Sequence, residues 1–151
     1  EMTSSLVGSE MCIRDSNMGA AMAPAALDTL ITHLTDTGRK PSYYDAIITG
    51  DLGHVGKDIL IELAQTKGYN IKSNYNDCGV LIFDKETQDT HSGGSGCACC
   101  GTVFSGYLFN MLQTKKYKKI LLIATGALMN ATSSQQGESI PGIAHAISIE
   151  V

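Results

Sequence analysis

The chain has 151 residues, 43% hydrophobic and 17% charged, with a formal net charge of −4. That is one domain's length with enough apolar content for a real core. The acidic balance leaves no basic stripe to neutralise phosphates, which argues against nucleic acid as a partner. The longest apolar run, Ile120–Ala124, suits a strand and is too short to span a bilayer.

Five cysteines, Cys12, Cys78, Cys97, Cys99 and Cys100, form an odd set with three crowded together. This is no secreted disulfide framework and points to a reducing compartment. The opening segment SSLVGSEMCIRDS, residues 4–16, has neither useful periodicity nor a signal-peptide apolar core. It resembles the read-through translation of a sequencing-library adapter. Residues 1–16 are therefore set aside as an expected assembly artefact, with no functional weight on Cys12 or Arg14. Residues 17–151 are read as the folding unit.

From Met18 the pattern predicts a helix. Met22, Ala23, Ala26, Leu27, Leu30, Ile31 and Leu34 fall on one stripe, with Asp28, Thr32, His33 and Asp36 opposite. Pro24 suits a first turn and Gly38 a stop. Ala46–Thr49 reads as a short buried strand running into Gly50-Asp51. A second amphipathic helix follows, with Val55, Ile59, Leu60 and Leu63 inward, Lys57, Asp58, Glu62 and Gln65 outward, and Gly68 at its end. Val80–Phe83 is the next strand candidate, followed by a polar connection.

The stretch HSGGSGCACCGTVFSGYLFNML, residues 91–112, reads as a glycine turn opening a helix. Cys97, Cys100, Phe104, Tyr107, Leu108, Met111 and Leu112 recur at helical spacing. No charged side chain lies between His91 and Lys115, so this helix is expected to be buried nearly all round. KKILLIATG is a continuous apolar strand suited to a sheet covered on both faces. IAHAISIEV closes the chain as an alternating strand with Ile143, His145, Ile147, Ile149 and Val151 on one face. Strands alternating with helices give an α/β, layered fold with a largely internal sheet.

Three chemistries compete for the cysteine cluster. Cys97, Cys99 and Cys100 sit on one turn without the paired, loop-separated spacing that zinc favours, so no metal site is expected. Cys97, just past the glycines, would feel a helix terminus that favours its thiolate. The third reading makes the cysteines small, soft core residues. The glycine turn itself leaves backbone N–H groups open to a carboxylate or phosphate. If the strands ending in IITGD and IATGA are parallel neighbours, Gly93, Gly94, Ser95, Gly96, Cys97, Asp51 and Thr125 gather at their carboxyl ends. His145 is the remaining candidate for a ligand contact, against the alternative of a hydrogen-bonded core histidine; Asp51 is alternatively a helix cap.

NMGAAMAPAALDT, YDAIITGDLGHVG, NDCGVLIFD, GGSGCAC, IATGALM and QQGESIPGIAHAI occur in this order. Together they closely resemble the C-terminal half of the stage V sporulation protein AD (SpoVAD) family, thiolase-like proteins of endospore-forming bacteria. The resemblance spans about residues 17–150. It implies the C-terminal half of a thiolase-like layered fold, whose N-terminal half carries the usual cysteine position and packs across a shared pocket. It implies a subunit of the SpoVA apparatus that binds dipicolinic acid, moved as its calcium chelate into the developing spore and released on germination. Further implications are other SpoVA subunits and the chain's own N-terminal half as partners, a homodimer when complete, and a peripheral place on the cytoplasmic side of the spore inner membrane.

Condensing relatives of that fold use a histidine and an asparagine from this half. The matching places, TGDLGHVG and SGGSGC, offer neither in register, and His54 lies past the strand end. The resemblance therefore implies no catalytic residues and no cofactor. Dipicolinate would be held by the N–H groups of residues 94–97 and the Ser95 and Thr125 hydroxyls. Two other functions remain: an acyltransferase using a cysteine thiolate such as Cys97, and a scaffold of the apparatus without a ligand.

Overall fold

The computed structural model of the chain describes residues 17–84, 86–88, 90, 96–128 and 141–151. Helix α1 spans Met18–Thr37. Asn17 caps it, its Oδ1 accepting the Ala20 N–H at 3.1 Å. Gly38 ends it at a φ of 64°, a left-handed conformation natural to glycine. Pro24 lies inside the helix rather than in its first turn. Gly19–Ala23 are all buried; beyond them Ala26, Leu30 and Leu34 carry the inward stripe.

Strand β1 is Ala46–Thr49, and helix α2 is Gly53–Thr66. The buried line of α2 is Gly53, Gly56, Leu60 and Ala64, while Val55, expected inward, is 38% exposed. The cause is the closeness of α1. A Cβ on Gly19 would lie 1.8 Å from the Leu52 carbonyl oxygen, and one on Gly56 2.6 Å from that of Gly19. Small residues occupy the face where two backbones touch, and this rotates the apolar stripe away from the one hydrophobicity alone suggests.

The remaining strands are β2 (Tyr75–Asp77), β3 (Lys119–Ala127) and β4 (Gly142–Glu150), in sheet order β2-β1-β3-β4. β1 runs parallel to β2 and β3, with Ile47 beside Tyr75 and Leu121; β4 runs antiparallel to β3, with Ile123 beside Ala146. Side chains alternate across the sheet. Ile47, Leu121 and Ile123 pack with α1 and α2 on one face. Ala46, Ile48, Ile120 and Leu122 pack with Cys78, Cys99, Val103, Leu108 and Leu112 on the other. The fold is α/β and layered.

Further expectations are corrected here. The strand expected at Val80–Phe83 is not formed: Cys78–Leu81 is a helical turn, α3, and the strand lies just before it. Asp77 caps that turn, its Oδ1 accepting the Gly79 N–H at 2.9 Å. A four-residue apolar run carries no period of its own, so the capping aspartate decides its form.

The cysteine-bearing helix comprises α4 (Cys99–Val103), a π-helical turn (Phe104–Leu108) and α5 (Phe109–Gln113). Cys99, Val103, Leu108 and Leu112 face the core in steps of four, five and four residues. The five-residue step is the π turn, which shifts the phase a regular helix would keep. Cys99 therefore turns inward, while Cys97, in the turn before the helix, is exposed, the reverse of the expected pattern. The helix is not buried all round: Tyr107 and Phe109 are exposed.

β4 departs most. Ala144 and Ala146 pack on the α1 side and Ile149 on the other, while Ile143 and Ile147 are 57% and 59% exposed. The sheet is internal at β1 and along the first half of β3, and open at β4.

Candidate functional site at the strand ends

A cavity of about 220 Å³ opens at the carboxyl ends of β1 and β3. Gly50 and Asp51 line one wall, Gly96, Cys97 and Cys100 a second, Thr125 a third, with Met18 and Met22 of α1 alongside. Four of the expected site residues, Asp51, Gly96, Cys97 and Thr125, are thus brought together. Gly93, Gly94 and Ser95 lie outside the described residues, as does His91. His145 is not in the cavity: it pairs with Ala124 on exposed β4, and strand alternation puts it on the opposite face from Thr125. Neither a core histidine nor a ligand contact of this cavity describes it.

The geometry revises one expected role. The Gly96 N–H, expected to await an anion, donates to Asp51 Oδ2 at 2.7 Å. Gly96 reaches this position with a φ of 86°, which a residue with a Cβ adopts only under strain. The Asp51 N–H in turn donates to Thr125 Oγ1 at 3.2 Å. Gly50 is what lets β1 approach β3 here, since a Cβ on it would stand 2.8 Å from the Thr125 amide nitrogen. Asp51 thus joins the glycine turn to the strand ends instead of capping α2.

That capping falls to Asp77, which sequence reasoning passed over. Its Oδ2 accepts the Thr49 hydroxyl at 2.6 Å and the Leu52 N–H at 2.8 Å; its Oδ1 accepts the Gly53 and Gly79 N–H groups at 2.9 Å each. One fully buried carboxylate ties the end of β1 to the starts of α2 and α3. Burial pushes its carboxyl up, and the Thr49 hydroxyl and the amides hold against that rise. Thr49 also shares a hydrogen bond with the Tyr75 hydroxyl at 2.8 Å, and burial raises the Tyr75 phenol well above its ordinary range. An aspartate just before Cys78-Gly79 was the available signal.

The cysteines separate by environment. Cys78 and Cys99 are core residues, Cys97 is exposed, and Cys100 is half-buried and open to the cavity. The neighbouring Cys78 and Cys100 thiols act on each other, which lowers Cys100 and, with burial, raises Cys78. Among the described residues no group of three or more His, Cys, Asp or Glu side chains is placed to hold a metal ion. His54 lies at the start of α2 with its Nε2 buried and without a hydrogen-bond partner.

An open α/β sheet with a glycine-walled cavity at the carboxyl ends of its parallel strands places the chain in the layered α/β class. The chain belongs to the stage V sporulation protein AD (SpoVAD) family, whose model matches residues 4–150. It is 42% identical over 153 residues to the Stage V sporulation protein AD of Bacillus subtilis (strain 168), a match covering 99% of this chain and 45% of that relative. The chain thus spans less than half the relative's length. The family match begins within the segment set aside as adapter-derived, whose structure lies outside the described residues. Among the described residues no helix is long and apolar enough to cross a membrane.

Proposed function

We propose that this chain supplies one wall of a dipicolinate site in a non-catalytic subunit of the spore's SpoVA apparatus, which takes up dipicolinate with calcium and releases it on germination. One observation carries the reading: Gly50-Asp51, Gly96-Cys97 and Thr125 converge on a single cavity at the carboxyl ends of parallel strands. Met18 and Met22 give it soft, adaptable surface against which a flat aromatic ring can lie. The described cavity wall holds no lysine or arginine, and it does hold a carboxylate. A free dianion must therefore displace Asp51 from the Gly96 N–H. A calcium chelate could instead use an Asp51 oxygen as a ligand to the metal.

A helix terminus contributes only about 0.3–1 kcal/mol per charge, up to ~2 kcal/mol when partly buried. Most of the affinity must then come from the family's other half, which packs across the pocket. The complete subunit works at the cytoplasmic side of the spore inner membrane, as a homodimer beside other SpoVA subunits. Calorimetry tests the site. This chain should bind dipicolinate weakly, and a full-length family member tightly. A Gly50→Ala change, which drives a Cβ into the Thr125 amide, should abolish the weak binding. Equal affinity of fragment and full-length protein, or no heat from the full-length protein, refutes the reading.

A further inference from the structure

The net charge of −4 hides how the charges are distributed. At the edge opposite the cavity, where β1, β2 and β3 begin, hydrogen bonds tie the loops together. The Asp45 N–H donates to the Lys119 carbonyl at 2.8 Å and the Val151 N–H to that of Lys118 at 2.9 Å. Asn74 Nδ2 donates to the Pro41 and Tyr44 carbonyls at 2.9 and 2.8 Å. The segments meeting there, 36–45, 67–74, 113–119 and Glu150, carry eight of the chain's eleven lysines and arginines and only three of its fifteen acidic side chains. Two of those three are engaged: Asp45 Oδ2 accepts the Lys118 and Lys119 N–H groups at 2.7 and 2.9 Å, and Glu150 pairs with Arg39 at 3.0 Å. Arg39 and Lys119 lie over the Tyr43 ring, 4.3 and 4.0 Å from its centre. The other six, Lys40, Lys67, Lys72, Lys115, Lys116 and Lys118, are exposed, and among the described residues none is ion-paired. We propose that this basic edge docks on an anionic lipid bilayer.

A cluster of about four to eight lysines is drawn to anionic headgroups, because each acts as a hydrated point charge that needs no keyed partner. Protein interfaces favour arginine and aromatic anchors and are poor in lysine, so a folded protein is the weaker fit. Tyr107, 40% exposed, and Tyr117 line a hollow of about 190 Å³ with Asp45, Ser73 and Asn74 of this edge. An apolar ring with a polar tip suits the depth of lipid headgroups. The lysines come from separate stretches of an acidic chain, so only folding collects them. With this edge on the bilayer, the cavity at Thr125 lies about 20 Å away along β3 and opens towards water. This goes beyond the membrane placement proposed above by naming the surface, the lipid chemistry and the orientation. It does not depend on what the cavity binds.

The test is flotation of the chain with vesicles of phosphatidylcholine, with and without phosphatidylglycerol. The chain should float with the mixed vesicles at low salt, stay behind with phosphatidylcholine alone, and be released by salt, which screens the attraction. Lys116→Glu should weaken binding about tenfold, while Lys57→Glu, the same change of charge on α2 away from this edge, should alter it less than about twofold. No binding to the mixed vesicles, or an equal loss in the two variants, overturns the proposal. Equal binding to both vesicle types, or binding that survives salt, belongs to the open apolar face of β4 and also overturns it. If a DNA duplex at matched phosphate concentration strips the chain from the vesicles, the partner is a nucleic acid and the proposal falls. Should Lys116→Glu not fold, the lipid and salt dependence of the unaltered chain decides alone. None of these outcomes bears on the calorimetry of the cavity.

Discussion

Removing the Asp77 carboxylate should show how far one buried side chain holds the cavity loop. Asp77→Ala strips the acceptor from the Thr49 hydroxyl and from the Leu52, Gly53 and Gly79 N–H groups. Thr49 can turn to the Tyr75 hydroxyl, leaving three amides. Each buried donor left unpaired costs about 1–3 kcal/mol, and water entering the gap recovers part of that. The expected loss is about 4 kcal/mol, a large share of the ~5–15 kcal/mol a domain holds. Asp77→Asn keeps an oxygen for Gly53 and Gly79 and opposes an NH₂ group to the Leu52 N–H, so about 2 kcal/mol is expected. Urea titration followed by circular dichroism measures both, with the unaltered chain as reference. If Ala costs less than 1 kcal/mol, or no more than Asn, Asp77 does not organise the strand end as described.

Asp51→Asn should tighten binding of calcium-free dipicolinate about tenfold, since it removes a like charge worth ~1–4 kcal/mol at close range; unchanged or weaker calorimetric affinity would place the dianion elsewhere. The open face of β4 that carries Ile143 and Ile147 should make the chain self-associate and bind hydrophobic dyes, with Ile147→Lys reducing both. A clean monomer in size-exclusion chromatography without dye binding would contradict an uncovered apolar face there. Burial, reinforced by Arg39, lowers the His33 imidazole below its ordinary range. The fold therefore favours neutral His33, and its contribution is complete above pH ~6.5 and declines as pH falls through the unfolded value towards the lower folded one. Urea midpoints should drop over that window, and His33→Gln should flatten the drop; an identical pH profile in the variant would remove His33 as its source.

The local code of this chain is strong where one element is long and regular. The α1 stripe and its Gly38 stop, the strands at Ala46–Thr49 and Lys119–Ala127, and the family motifs are all legible from Asn17 onwards, because helix period, strand length and turn glycines are properties of neighbouring residues. So was the gathering of Asp51, Gly96, Cys97 and Thr125 at strand ends, since parallel strands put their carboxyl ends together.

What lay beyond reach depends on residues distant in the chain. The π turn shifts the cysteine helix so that Cys99 turns inward. Asp77 gathers donors from Thr49, Leu52 and Gly53, and Asp51 takes the Gly96 N–H, across gaps of 24–28 and 45 residues. Ile143 and Ile147 of β4 share an apolar face in sequence yet are open in space, since alternation tells which residues share a face and not whether anything covers it. Periodicity is written residue by residue; partners are chosen only when the chain closes on itself, and in this protein the partners set the site.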